Sequence, residues 1–180
     1  MLCLSVLAAA LLWWQVGRAQ AQLRAQVLAE SERSAVHLAD AMAGQVEGLV
    51  SLLELELLYL RREWLQMPVS FGATALNVLS VMPPGFVTHV SIADAQGRIV
   101  YNSLGRDDGT MVLDRAHFQA LRDGGDRLFI GQPVRSRLAD QWVVMVARSL
   151  LVNDAFAGTV QLAVSTDFLA RRLAALSLSS

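Results

Sequence analysis

The sequence predicts an α+β fold in which a long N-terminal helix packs on a five-stranded, mainly antiparallel sheet. Three observations carry this. Arg18 to Gln66 contains no proline and is rich in Ala, Leu, Glu, Gln and Arg, all strong helix formers. Pro83-Pro84-Gly85 then stops the helical patterning, and strand-like runs of β-branched and aromatic residues follow. Those runs are joined in part by short turn sequences, which favours hairpins.

The chain has 180 residues, enough for one domain with or without a membrane anchor. Hydrophobic residues make up 54% and charged residues 17%, which excludes intrinsic disorder. The net charge of -1 argues against a nucleic-acid partner, which would need a basic face. A single cysteine, Cys3, excludes an internal disulfide and a cysteine metal cluster. All fifteen basic residues are arginine, so neither a Schiff-base lysine nor a P-loop lysine is available.

The elements follow in order. Leu2 to Trp14 carries no charge. It reads as a membrane anchor over residues 1–17, with Trp13 and Trp14 at an interface, although a full span needs about 20 apolar residues. A signal peptide cut near Ala19-Gln20-Ala21 and a buried core helix are the alternatives. Residues 18–67 form the long helix. Leu38, Met42, Val46, Leu49, Leu53, Leu57, Leu60 and Trp64 make one apolar stripe, and Arg33, Asp40, Glu47, Glu54 and Arg61 recur every seven residues on another face. At full length it would reach roughly 70 Å, so it is expected to pack on the following domain and to dimerise through a parallel coiled coil.

Met67-Pro68 ends that helix, and residues 68–180 form the lobe. A short helix covers Ala73 to Met82. Strands Phe86–Ala93 and Arg98–Ser103 form a hairpin around Asp94-Ala95-Gln96-Gly97. Asp114 is placed as the N-cap of a helix running to Arg122, stopped by Gly124-Gly125. Strands Leu128–Val134, Trp142–Leu150 and Gly158–Ser165 follow, with Pro133 marking an edge. Asp167 opens a last helix, Phe168 to Leu176.

Catalytic and metal constellations are lacking. His37, His89 and His117 are far apart and lack metal-ligand spacing. Arg122-Asp123-Gly124-Gly125-Asp126-Arg127-Leu128-Phe129 resembles the GGDEF signature of diguanylate cyclases, but Arg127 replaces the glutamate, and the run reads as a helix-ending turn. Recognition chemistry is richer. Arg115, His117 and Phe118 open one helix. Arg148 interrupts an apolar strand on the same face as Trp142, and must be paired internally or serve an anionic ligand, because a lone buried charge is costly. Tyr101, at the end of the second strand, could line the same cavity.

These segments together resemble a known family: Ala93–Ser103 (ADAQGRIVYNS), Leu113–Phe118 (LDRAHF), Leu128–Val134 (LFIGQPV), Gln141–Arg148 (QWVVMVAR) and Phe156–Val160 (FAGTV). In order and spacing they look like the Cache (PDC, PAS-like) extracytoplasmic sensor domain that precedes diguanylate cyclase and histidine kinase modules, over about Phe86 to Leu173. The resemblance implies a PAS-like antiparallel sheet at the periplasmic side of a bacterial inner membrane. It further implies no catalysis, no metal and no cofactor in this segment. A small molecule, a carboxylate or an amino acid, would bind on one side of the sheet, with Arg115, His117, Phe118, Tyr101, Trp142 and Arg148 as its contacts. Such a sensor calls for a cavity of about a few hundred cubic ångströms lined by Arg115 or Arg148. Signal would pass through membrane helices to a cytoplasmic output module. His117 stands where the family has an aromatic residue, and Asn153 departs from the usual Asp-Gly. The resemblance also implies a second lobe, membrane helix and effector beyond Ser180. The alternative is a membrane-anchored interaction protein dimerising through its long helix.

Overall fold

The computed structural model describes residues 36–37, 39–105 and 109–178. The expected anchor, 1–17, lies outside the described residues, and no helix among them is long and apolar enough to cross a membrane. The chain divides into two compact units, Met1–Glu47 and Gly48–Ser180. In the first, helical residues 39–47 are exposed apart from a half-buried Met42.

The second unit holds the sheet. It comprises helix α1 (39–66) from Gly48 onward, α2 (Phe71–Val81), β1 (Val87–Asp94), β2 (Ile99–Asn102), α3 (Ala116–Gly124), β3 (Phe129–Arg135), β4 (Trp142–Val152), β5 (Ala155–Ser165) and α4 (Thr166–Leu178). All strand pairs are antiparallel, in the order β2-β1-β5-β4-β3. This is the α+β architecture the sequence predicts, with Pro133 on an edge strand where its missing N–H breaks no inner ladder.

Alternation along the strands sends side chains to two faces. Val160, Leu162 and Val164 of β5, with Val146 and Leu150 of β4, join Leu53, Leu57 and Leu60 of α1 in the main core. Trp64, Phe71 and Tyr101 close that core with two edge-to-face ring contacts at 5.1 and 4.8 Å. A bulge between Val87 and His89 breaks the alternation of β1. Val87 and Val90 therefore both reach the main core, while His89 and Ser91 turn to the opposite face.

That opposite face is covered by α3, whose Phe118 is fully buried with Ala93, Ile99 and Val112. The helix starts one residue later than expected. Arg115 is its N-cap, with extended backbone and no side-chain capping bond, because the Asp114 carboxylate is held by Arg137 instead. Strands β4 and β5 run closer together than the sequence indicates, joined at Asn153-Asp154, both at positive φ (51° and 60°) as a two-residue hairpin requires. Gly158, φ 138°, lies so close to β1 that a Cβ there would stand 2.0 Å from the Ala93 carbonyl oxygen.

Candidate functional site

The face covered by α3 carries a hollow. Its floor is His89 and Ser91 of β1, Met145 of β4 and Gln161 of β5, and Arg115 and His117 at the start of α3 form one wall. The segment from Val134 to Leu138 forms another wall, with Thr110 and Val112 at the rim. The cavity measures about 30 Å³, room for about two or three waters at roughly 10–15 Å³ each. Counted out to its solvent-filled mouth, the hollow spans about 360 Å³. The enclosed space is thus smaller than the sequence reading anticipated, and a larger ligand would have to extend into the mouth.

The hollow is cationic. Arg137 is clamped to Asp114 through two hydrogen bonds of 2.8 and 2.7 Å, which hold that carboxyl down at about 2. Arg135 pairs with Asp140 at 2.9 Å. Arg115 has no ion-pair partner among the described residues. Its guanidinium donates to the Arg135 carbonyl at 3.3 Å, and burial and the neighbouring Arg137 lower its pKa.

Two buried histidines face the same space. His89 is 1% exposed, with Nδ1 3.1 Å from the Thr88 hydroxyl, and burial pushes it down to about 4. His117 is 5% exposed and its Nε2 has no hydrogen-bond partner among the described residues. Burial and the charge of Arg115 lower it to about 4, with Gln161 and Asp114 pulling the other way. Gln161 is itself anchored, its amide donating to the Thr159 hydroxyl at 2.7 Å. No group of three or more potential metal ligands occurs among the described residues.

Of the six residues expected to touch a ligand, the structure brings Arg115 and His117 together in the hollow. Phe118 lies behind them as core, its ring edge-to-face with Phe156 at 5.5 Å. Tyr101 is on the other side of the sheet, against Phe71. Trp142 is 59% exposed at the start of β4 and is not part of the lining. Arg148 also faces α1. It donates to Glu54 at 2.9 Å and to Asp126 at 3.3 Å, while Arg61 of α1 holds Asp126 at 2.8 Å. Internal pairing therefore accounts for Arg148. Sequence reading missed Arg135, Arg137 and Gln161. A polar residue interrupting the apolar run of β5 was the available signal for Gln161.

No family profile matches the chain, and neither does any curated protein. Solved structures do. The extracellular domain assigned to a histidine kinase, rpHK1S-Z16, superposes with a TM-score of 0.66 at 23% identity, over 82% of this chain and 63% of its own. The ligand-binding domain of the Pseudomonas fluorescens chemoreceptor CtaA, in complex with L-valine, gives 0.57 at 15% identity, over 73% and 58%. That of the Campylobacter jejuni chemoreceptor Tlp3, in complex with L-norvaline, gives 0.56 at 14%, over 73% and 57%. The chain spans less than two thirds of the length of each of these domains. The fold of this chain is that of the Cache (PDC-like) extracellular sensor domains of histidine kinases and chemoreceptors.

Proposed function

We propose that this chain is the ligand-binding lobe of an extracytoplasmic sensor in a membrane-bound bacterial signalling protein of the histidine kinase or diguanylate cyclase type. It performs no catalysis itself and binds a small organic anion in the hollow beside α3. The observation that carries this is Arg115, a cation lining the hollow with no ion pair among the described residues, the nearby Asp114 being held by Arg137. The start of α3 adds to the attraction, since its free N–H groups and dipole favour negative charge. The amino-acid complexes of CtaA and Tlp3 make an amino acid the obvious alternative. Among the described lining residues, however, there is no Asp or Glu to receive an ammonium group. A carboxylate without an amine fits this charge pattern better.

Thermal denaturation of the full chain with pyruvate, L-lactate, propionate and succinate, against L-alanine and L-valine, tests the proposal. A ligand at a hundred times its dissociation constant adds about 2.7 kcal/mol. Stabilisation by at least one organic acid, lost in Arg115→Ala, is expected. Stabilisation by the amino acids alone, or one that survives Arg115→Ala, refutes it.

A second reading, dimerisation through the long helix, is favoured by one observation. Leu55 and Tyr59 are 65% and 44% exposed on α1, away from the face that buries Leu53, Leu57 and Leu60. A monomer by light scattering, unchanged in Leu55→Glu, would exclude it.

A further inference from the structure

We infer that His117 is a ligand contact that couples binding to protonation: an anion seated beside Arg115 meets the unpartnered Nε2 of His117, and the imidazole takes up a proton as the anion binds. This rests on the anion-binding reading of the hollow and adds a regulation to it.

The geometry comes first. Arg115 and His117 are two residues apart at the start of α3 and line the same cavity. The His117 ring is almost wholly enclosed, with the Gln161 side chain acting on it, yet Nε2 has no hydrogen-bond partner among the described residues. A buried nitrogen left without a partner is costly unless something else arrives to satisfy it. The space it lines is large enough for at least a water or a ligand oxygen.

The charges around it determine what binding does. Arg115 and Asp114 face it from α3 and its approach, Arg135 and Arg137 from β3 and the following turn, and His89 from β1. Gln161 of β5 and Met145 of β4 are uncharged. Asp114 is engaged by Arg137, and Asp140 by Arg135. When the hollow is empty, the pull of Asp114 and Gln161 toward the imidazolium is therefore outweighed by burial and by the charge of Arg115. Burial and Arg115 keep the ring neutral down to about 4. An anion at Nε2 reverses this, because it offsets the charge of Arg115 and accepts the imidazolium N–H. Linkage is reciprocal, so if the anion raises the affinity for a proton, the proton raises the affinity for the anion.

The test is calorimetric titration of the full chain with pyruvate, which stays ionised throughout, between pH 7.5 and 5.5. Affinity is expected to rise as pH falls, by up to about tenfold per pH unit for one proton taken up. In His117→Gln the dependence should vanish, and in His89→Gln it should persist. NMR titration of the His117 ring in the unmodified chain gives a readout independent of variant folding: its midpoint should move upward when pyruvate is bound. Pyruvate binding with a flat pH profile and an unmoved His117 midpoint overturns the proton coupling but leaves the anion site standing. A pH dependence lost in His89→Gln and kept in His117→Gln overturns the assignment to His117. No binding of pyruvate, L-lactate, propionate or succinate at any pH overturns both the coupling and the anion reading beneath it.

Discussion

Replacing Arg148 separates a structural tie from a binding contact. Its side chain is 15% exposed, and its partners Glu54 and Asp126 are 39% and 33% exposed. Losing one partner of a fully buried pair costs about 3–5 kcal/mol, and an exposed pair is worth roughly 0.2–1 kcal/mol. This cluster lies nearer the second limit. Glu54 can regain water, and Asp126 keeps Arg61 at 2.8 Å. Arg148 Nε is moreover buried without a partner, and removing it relieves part of the loss. Arg148→Met, which keeps the aliphatic stem, should then cost about 1 kcal/mol. Arg148→Ala also removes the buried stem, at about 0.8 kcal/mol per methylene, and should cost about 2–3 kcal/mol. At roughly 4 °C per kcal/mol for a unit of this size, the midpoints should fall by about 4 °C and about 10 °C. Thermal melts read the cost, and a cycle with Glu54→Gln should give a coupling of about 1 kcal/mol. Carboxylate affinity should be unchanged in both variants. A tenfold loss of affinity in Arg148→Met would place this arginine in the binding chemistry and refute its assignment to the opposite face.

Gly158→Ala should unfold the lobe or cost more than about 3 kcal/mol, since its Cβ would overlap the Ala93 carbonyl at 2.0 Å; a soluble variant with a wild-type urea midpoint would contradict the close approach of β5 to β1. Phe71→Ala should cost about 3–5 kcal/mol in urea denaturation, because the ring is 1% exposed and touches both Trp64 and Tyr101; a cost below about 1 kcal/mol would mean that this corner of the core collapses freely. Acid should destabilise the lobe through His89 and His117. Both are lowered from 6.5 to about 4 in the fold, so the unfolded chain binds more protons between those values and stability falls as pH drops below about 6.5. At pH 5 the loss is about 2 kcal/mol per histidine. His117→Gln should remove about half of the pH 7 to pH 5 difference, and a flat profile in the parent chain would show that neither ring is held neutral.

Elements that depend on local pattern were legible in the sequence: the long helix from its apolar stripe, the first hairpin from Asp94 to Gly97, the edge strand from Pro133. What depends on distant partners was not. Alternation placed Arg148 and Val146 on one face, but nothing local indicated that α1 covers that face and α3 the other. The bulge at Val87, which sends that side chain to the main core with Val90 and Ile92, leaves no compositional mark. Asp114 has the chemistry of an N-cap, yet Arg137, far along the chain, takes its carboxylate. Arg115 and His117 could be singled out as candidates because a helix start is a local feature, whereas Arg135, Arg137 and Gln161 come to the same hollow only through the tertiary fold.

The strand order has a consequence for how the lobe comes into being. Its two central neighbours, β1 and β5, derive from opposite ends of the folded segment; the Thr88 hydroxyl and the Ala163 carbonyl that it contacts are 75 residues apart. Closing a flexible loop of that length costs on the order of 4 kcal/mol of chain entropy before any contact repays it. The middle of the sheet is thus the last part to be synthesised into place. A nascent chain carries Val90 and Ile92 unpaired on their inner side until β5 has left the ribosome. Folding should accordingly be slow and governed by one long-range pairing, and the interval before β5 arrives is when β1 is most open to association with other chains.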